Sequence, residues 1–156
     1  MLQITILAIG KIRERHFKEA VGEYAKRLRP FAKVGFAEVR AEPFSTDPVS
    51  KRKAKEKEGQ RILAILENRQ NAEIVLLDEQ GKQFSSKEFA GFLEGVGKPI
   101  VFIIGGPLGF SEEVKEKIKK KLSLSQMTLP HELAQVVLLE QLWRAITIIK
   151  NKTYHY

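Results

Sequence analysis

Short blocks of two hydrophobic periods alternate along the chain. Leu2–Ile9 is rich in Ile and Leu and is followed by Gly10, which predicts a strand and a turn. Phe17, Ala20, Val21, Tyr24 and Leu28 then recur at three- and four-residue spacings up to Pro30, the pattern of one helical face. A second strand is predicted over Val34–Val39. Glu42–Ser50, with Pro43 and Pro48, is predicted as a loop because the prolines argue against regular structure. A helix follows with Ala54, Glu58, Ile62, Ile65 and Leu66 along one side.

The second half repeats the alternation. Glu73–Asp78 contains Ile74-Val75-Leu76-Leu77, apolar on both faces as in a buried parallel strand. Ser85 and Glu88 have the spacing of a capping box, opening a helix that carries Phe89, Phe92, Leu93 and Val96 and ends at Gly95 and Gly97. Ile100–Ile104 is the clearest strand and runs into Gly105-Gly106-Pro107-Leu108-Gly109. Ser111 with Glu112 and Glu113 then predicts the start of a lysine-rich helix. Leu122–Leu129 is read as a last strand and loop, and Pro130 as the first turn of a final helix. That helix carries Leu133, Val136, Val137, Leu138, Leu139, Leu142, Trp143, Ile146, Ile148 and Ile149, so it must be covered on nearly all sides. A homodimer interface is the simplest cover. Alternating strands and helices predict an α/β fold with a mainly parallel sheet and helices on both faces.

Composition narrows the function classes. At 156 residues, with 43% hydrophobic and 29% charged, the chain is expected to form a single domain over 1–156. No cysteine is present, which excludes disulfides, thiolate nucleophiles and Cys-type metal sites. The longest apolar runs are too short to span a bilayer, and Met1–Leu7 lacks a basic leader, so no membrane association and a cytoplasmic location are expected. The net charge is +8, and residues 1–60 hold 14 of the 27 basic and 8 of the 19 acidic residues, so most of the surplus lies early. Such a surplus favours polyanions. Lys51, Arg52, Lys53, Lys55 and Lys57 crowd the start of a helix, where cations are locally unfavourable, and a phosphate backbone would be a suitable neighbour.

The common nucleotide signatures are missing. Gly91 to Gly97-Lys98 has the wrong spacing for a Walker A loop, and Pro99 stands where Ser or Thr would coordinate magnesium. Gly10 alone does not make a dinucleotide fingerprint, and there is no Gly-x-Ser-x-Gly elbow. His16, His131 and His155 lie far apart, so no metal site is expected. What remains is Asp78 after a buried strand, the Gly105–Gly109 turn, the Ser123–Leu129 loop and the Tyr154-His155-Tyr156 tail. Ligands of open parallel sheets bind beyond the carboxyl ends of strands, and glycines there allow close backbone approach. Leu76, Leu77, Leu124 and Met127 could wall an adenine ring. Equally, Gly105 and Gly106 could serve only a tight strand-to-helix turn.

Several separated strings, in order, carry a resemblance. They are Leu77-Asp78-Glu79-Gln80-Gly81-Lys82, Phe102-Ile103-Ile104-Gly105-Gly106-Pro107-Leu108-Gly109, Leu122 through Glu132, and Glu140-Gln141-Leu142-Trp143-Arg144-Ala145. With the Ile6–Lys11 opening and the Tyr154-His155 tail, the chain resembles the ribosomal RNA large subunit methyltransferase H family of the SPOUT class. The resemblance implies a C-terminal trefoil knot, an exception to the usual absence of knots. It implies S-adenosyl-L-methionine held by Leu76 or Leu77, Gly105, Gly106 and the loop of Leu124, Ser125, Gln126, Met127, Thr128 and Leu129. It also implies an obligate homodimer that methylates N3 of a pseudouridine in 23S rRNA, in the hairpin facing the small subunit, within the assembled ribosome.

That transfer needs an in-line geometry and removal of the N3 proton. His155 is the first candidate base, reaching over the partner's cofactor, and His131 the second. Glu140 and Arg144 stand four apart and can pair; Arg144 then serves either a structural ion pair or RNA. The family often carries a basic residue after Tyr-His, whereas this chain ends in Tyr156, which leaves stacking of Tyr154 or Tyr156 on a base as a substitute.

Overall fold

Ile100–Ile104 is apolar at every position and therefore needs cover on both faces, which only the middle of a sheet supplies. In the computed structural model, which describes residues 1–156, all five of these residues are buried. They form β4, the central strand of a five-stranded sheet. The others are β1 (Leu2–Ile9), β2 (Ala32–Val39), β3 (Glu73–Gln83) and β5 (Lys121–Ser123), in the order β2-β1-β4-β3-β5 with every neighbouring pair parallel. The helices are α1 (Arg15–Leu28), α2 (Pro48–Leu66), α3 (Ser86–Val96), α4 (Glu112–Lys117) and α5 (His131–Ile149).

Strand side chains alternate between two cores, as the two-residue repeat requires. Ile4, Ile6, Val75, Ile100 and Phe102 point toward α1, α3 and α5, while Leu7, Ile9, Leu76, Val101 and Ile103 point toward α2 and α4. Connections that move toward the β2 edge, through α1 and α3, use the first face. Those that move toward the β5 edge, through α2 and α4, use the second. All four crossovers thus share one hand, as a uniformly twisted sheet demands, and all the strand exits open on one edge.

Most predicted elements form, and the differences have local causes. The capping box is made: Ser85 Oγ accepts from Glu88 N and Glu88 Oε2 from Ser85 N. Gly97, at φ +65°, ends α3, whereas Gly95 lies within it. Pro48 opens α2 rather than belonging to a loop, because the first helical position needs no N–H. The basic run Lys51–Lys57 consequently begins at the end of the first turn and continues beyond it. The lysine-rich helix after Ser111 is short, and of the Leu122–Leu129 strand and loop only Leu122 and Ser123 belong to β5, which begins at Lys121.

β3 continues five residues past Asp78. Leu122 of β5 pairs with both Leu77 and Lys82, so Asp78–Gly81 bulges out of the sheet before the strand resumes. Asp78 Oδ1 accepts from Gln80 N at 2.9 Å and folds the bulge. Gly81 closes it against β5, where a Cβ would lie 2.7 Å from the Lys121 carbonyl carbon and 2.9 Å from Leu122 N.

The final helix is only half covered. Leu138, Leu139, Leu142, Ala145 and Ile146 are buried against α1, α3 and the sheet. Leu133, Val136 and Val137 keep partial exposure and belong to neither core.

The close backbone approach at Gly81 predicts that Gly81→Ala destabilises the fold by about 1–3 kcal/mol through overpacking. Gly91, inside α3 with nothing within 4 Å of a built Cβ, should behave oppositely. Gly91→Ala is expected to stabilise by roughly 0.5–1 kcal/mol. Urea denaturation of the two variants checks both signs.

Candidate functional site

Three strand exits meet at the shared edge and enclose a cavity of about 680 Å³. Its size suits a nucleoside-sized ligand, within the ~300–1,000 Å³ usual for small-molecule sites. The β3 exit contributes Leu77, Asp78, Glu79 and Gln80; the β4 exit contributes Gly105 through Phe110; the β5 exit contributes Leu124, Ser125 and Met127 through Pro130. His131 and Ala134 of α5 complete the wall, with Lys115 at its side.

Glycines can line a cavity only with backbone, and the neighbours of Gly105 and Gly106 leave little room for a side chain there. A Cβ on Gly105 would lie 3.1 Å from the Phe110 ring, and one on Gly106 3.1 Å from Ile9 Cγ2. The loop is pressed flat onto these two residues. Gly109, at φ +74°, takes a left-handed conformation and donates its N–H to Gly106 O at 3.1 Å, which closes the turn. Across the cavity, Ser123 Oγ donates to Ser125 O and Ser125 Oγ accepts from Met127 N, so two hydroxyls shape the last loop. Glu132, buried, accepts from the Arg13 backbone N–H and ties the start of α5 to the segment after β1.

Of the ten residues expected to hold a cofactor, Leu77, Gly105, Gly106, Leu124, Ser125, Met127, Thr128 and Leu129 line the cavity. Gln126 does not. Leu76 is fully buried in the core facing α2 and α4, because strand alternation turns it away from Leu77. Pro107 and Leu108 of the Gly105–Gly109 turn line it too, and Phe110 does so without having been singled out. Phe110 was findable as the one aromatic between the glycine turn and the Ser111 cap, but its place beneath Gly105 depends on the turn's path.

A second cluster forms where the tail folds back on α5. Asn151, at φ +51°, takes the position glycine usually fills after a helix. Asn151 N donates to Ile148 O and Lys152 N to Thr147 O, the paired bonds of a Schellman turn. The reversal brings Tyr154 and His155 onto Glu140 and Arg144. Arg144 Nη2 donates to Glu140 Oε1 at 2.5 Å, and Tyr154 Oη donates to the same oxygen at 3.2 Å. The guanidinium lies 4.9 Å from the Tyr154 ring centroid, and that ring meets Trp143 edge-on at 5.8 Å. Arg144 Nη1 lies 3.3 Å from His155 Nδ1. A guanidinium only donates, so Nδ1 accepts and a neutral His155 carries its proton on Nε2.

Glu140 holds the Arg144 pKa above its ordinary value. Burial pushes the Tyr154 phenol up, so it stays protonated as a donor at neutral pH. Of the four side chains expected to act on the substrate, only His131 lines the cavity of its own chain; Arg144, Tyr154 and His155 share the tail cluster outside that lining. No three His, Asp or Glu side chains converge as metal ligands, and no helix is long and apolar enough to cross a membrane. Within the basic run of α2, Lys57 pairs with Glu42 at 3.2 Å and Arg52 with Glu56 at 3.8 Å, while Lys51, Lys53 and Lys55 have no ion-pair partner.

Comparison with known proteins agrees with this architecture. The model of a family described as "Predicted SPOUT methyltransferase" matches residues 2–155. A protein of Carboxydothermus hydrogenoformans named ribosomal RNA large subunit methyltransferase H is 45% identical over 161 residues, covering 99% of each chain. One of the same name from Clostridium acetobutylicum is 40% identical over 160 residues, again with 99% of each covered. A solved structure from Haemophilus influenzae, titled as "a probable methylase family protein", shares the fold with a TM-score of 0.56 at 14% identity, covering 99% of this chain and 70% of that one. A parallel sheet, a backbone-walled cavity at its carboxyl edge and end-to-end similarity converge on one assignment: the chain belongs to the SPOUT methyltransferase family, among the ribosomal RNA large subunit methyltransferase H proteins.

Proposed function

We propose that this chain transfers a methyl group from S-adenosyl-L-methionine to N3 of a pseudouridine in 23S rRNA, acting as a cytoplasmic homodimer on the assembled ribosome. The observation that carries the proposal is the cavity walled by the backbone of Gly105, Gly106 and Gly109 in a chain similar over its whole length to rRNA methyltransferases. The lining fits the donor. Leu77, Leu122, Leu124 and Leu129 offer aliphatic walls for an adenine ring, the loop backbones offer its hydrogen bonds, and Asp78 and Glu79 bring carboxylates to a cationic ligand. When bound, the donor would supply an electrophilic methyl group on a sulfonium.

The chain's own part is positioning and proton handling. His131 stands in the cavity wall as the histidine available to the reacting base within one chain. His155, with Nδ1 taken by Arg144, presents an N–H from Nε2; serving as a base requires Arg144 to release it. Glu140 holds both Arg144 and the Tyr154 hydroxyl, and Arg144 in turn orients His155.

The homodimer supplies a way for that cluster to reach a cavity. Leu133, Val136, Val137, Glu140 and Arg144 follow the three- and four-residue spacing of one stripe of α5, so the uncovered apolar positions and the tail cluster share a face. A second copy docked there covers the apolar part and brings Arg144, Tyr154 and His155 of one chain toward the cavity of the other. The trefoil threading belongs to the same proposal. It is supported by the chain after β4 passing to the α2 side, entering the sheet as β5 and returning on the opposite face as α5.

Calorimetry should find one S-adenosyl-L-methionine site per chain. Gly105→Val, forced against Phe110, should weaken it by at least tenfold; unchanged affinity would remove the pocket assignment. With labelled donor, methyl incorporation is expected into ribosomes and not into tRNA or free 23S rRNA. His155→Ala should keep the donor affinity and lower kcat by about 10²-fold or more. Mixed dimers of Gly105→Val and His155→Ala chains distinguish the two geometries. Activity returns if the tail serves the partner's cavity, and stays absent if it serves its own.

A further inference from the structure

Beside the cavity, and sharing Gln80 with it, lies a second groove along the edge strand β5, lined by Lys82, Lys119, Lys120 and Lys121 with Phe84 and Phe92. Its one carboxylate, Glu88, is occupied in the capping box of α3. Lys120 pairs with Glu73 at 2.6 Å, but Lys82, Lys119 and Lys121 have no acidic partner within ion-pair distance. Lys121 Nζ donates only to the Lys115 carbonyl. Two of the ammonium groups sit over aromatic faces, Lys82 at 4.6 Å from the Phe84 centroid and Lys120 at 5.3 Å from Phe92.

We propose that this groove binds the single-stranded RNA that flanks the nucleotide entering the cavity, with Lys82, Lys119 and Lys121 on its phosphates and the Phe84 ring, uncovered as Lys82 moves from its face onto a phosphate, as the platform for a base. Cations that lack carboxylate partners favour a polyanion, since each phosphate contact releases a condensed counterion. Half-buried phenyl rings between those cations favour unpaired nucleotides over an acidic peptide, because every base has a face to stack. Continuity through Gln80 and the Asp78–Gly81 bulge fixes the direction: a strand with one nucleotide in the cavity continues across β3 into the groove. The bulge is thus the partition between donor site and RNA track. This proposal rests on the methyl-transfer reading of the cavity and extends it to the RNA path.

The test neutralises the two exposed, unpaired lysines in the double variant Lys82→Gln/Lys119→Gln and compares it with Lys51→Gln/Lys53→Gln, which removes the same charge from the basic run of α2. Binding to unmethylated ribosomes is measured against potassium chloride concentration, and donor affinity is measured separately. For the groove variant, the slope of log K against log salt should fall by about one to two units and KM for ribosomes rise several-fold. Its donor affinity and kcat at saturating ribosomes should match the parent protein. The α2 variant should show the smaller change in slope. Equal losses from both variants, or no loss from the groove variant, would overturn the RNA track while leaving the methyltransferase reading intact. Absence of donor binding by the parent protein would instead overturn that reading, and the ribosome-binding slopes would still decide the groove.

Discussion

Every crossover in this chain obeys the same hand, and the site follows from that constraint. Because helices that step toward β2 pack on one face and those that step toward β5 pack on the other, all five strands run the same way and all their exits open on one edge. The exits of β3, β4 and β5 are brought together there, although whole helices separate them in sequence. β4 sits between β1 and β3 with no polar position, so the Gly105 turn leaves from the most rigid part of the sheet. A backbone surface for a ligand is only useful if its atoms are fixed, and Phe110 and Ile9 packed against the glycines provide that fixing.

Periodicity made the elements legible, since burial on one or two faces is what selects a helix or strand. The β1 span, the Ser85–Glu88 box and the central strand needed no tertiary information. The failures have tertiary causes. The five extra residues of β3 are Gly81 and four strongly polar neighbours, and they join the sheet only because β5 happens to lie alongside. The strand expected at Leu122 forms but is only three residues long, Lys121–Ser123, and it is held by pairing with both sides of the bulge. In the site, the glycine turn and the late loop were visible as unusual composition, but Leu76 and Leu77 could be separated only by strand phase. The expectations of a threaded chain and of a particular methyl donor came from motif resemblance, since neither has a periodic signature.

The tail shows how a local rule produces a long-range result. The seven residues after α5 would fray if the helix ended without a stop, since exposed termini are poorly ordered unless tied down. Asn151 in the left-handed region reverses the chain, and the two Schellman bonds hold it there. Tyr154 and His155 then share Arg144 with Glu140, and the half-buried setting strengthens each charge-assisted bond relative to open solvent. Arg144 thereby does two things at once. It fixes which nitrogen of His155 carries a proton, and it lies on the same helical stripe as the uncovered valines, so docking of a second chain on that stripe would enclose the cluster.

Net charge misplaces the RNA surface when read along the sequence. Most of the +8 surplus falls within residues 1–60, a net figure that already counts Glu19, Glu23, Glu42 and Glu56, the partners of Arg15, Arg27, Lys57 and Arg52, but a sum over sixty residues does not say which cations stand together on one surface. The later half has a smaller surplus and a more concentrated one. Glu73 takes Lys98 and Lys120, and what is left at β5 is a line of lysines set among aromatic rings. A polyanion responds to the potential where it docks, which falls off within about 10 Å at ordinary salt. Local shortage of carboxylates beside a concave surface, rather than a count over the chain, is therefore the quantity that points to where RNA lies.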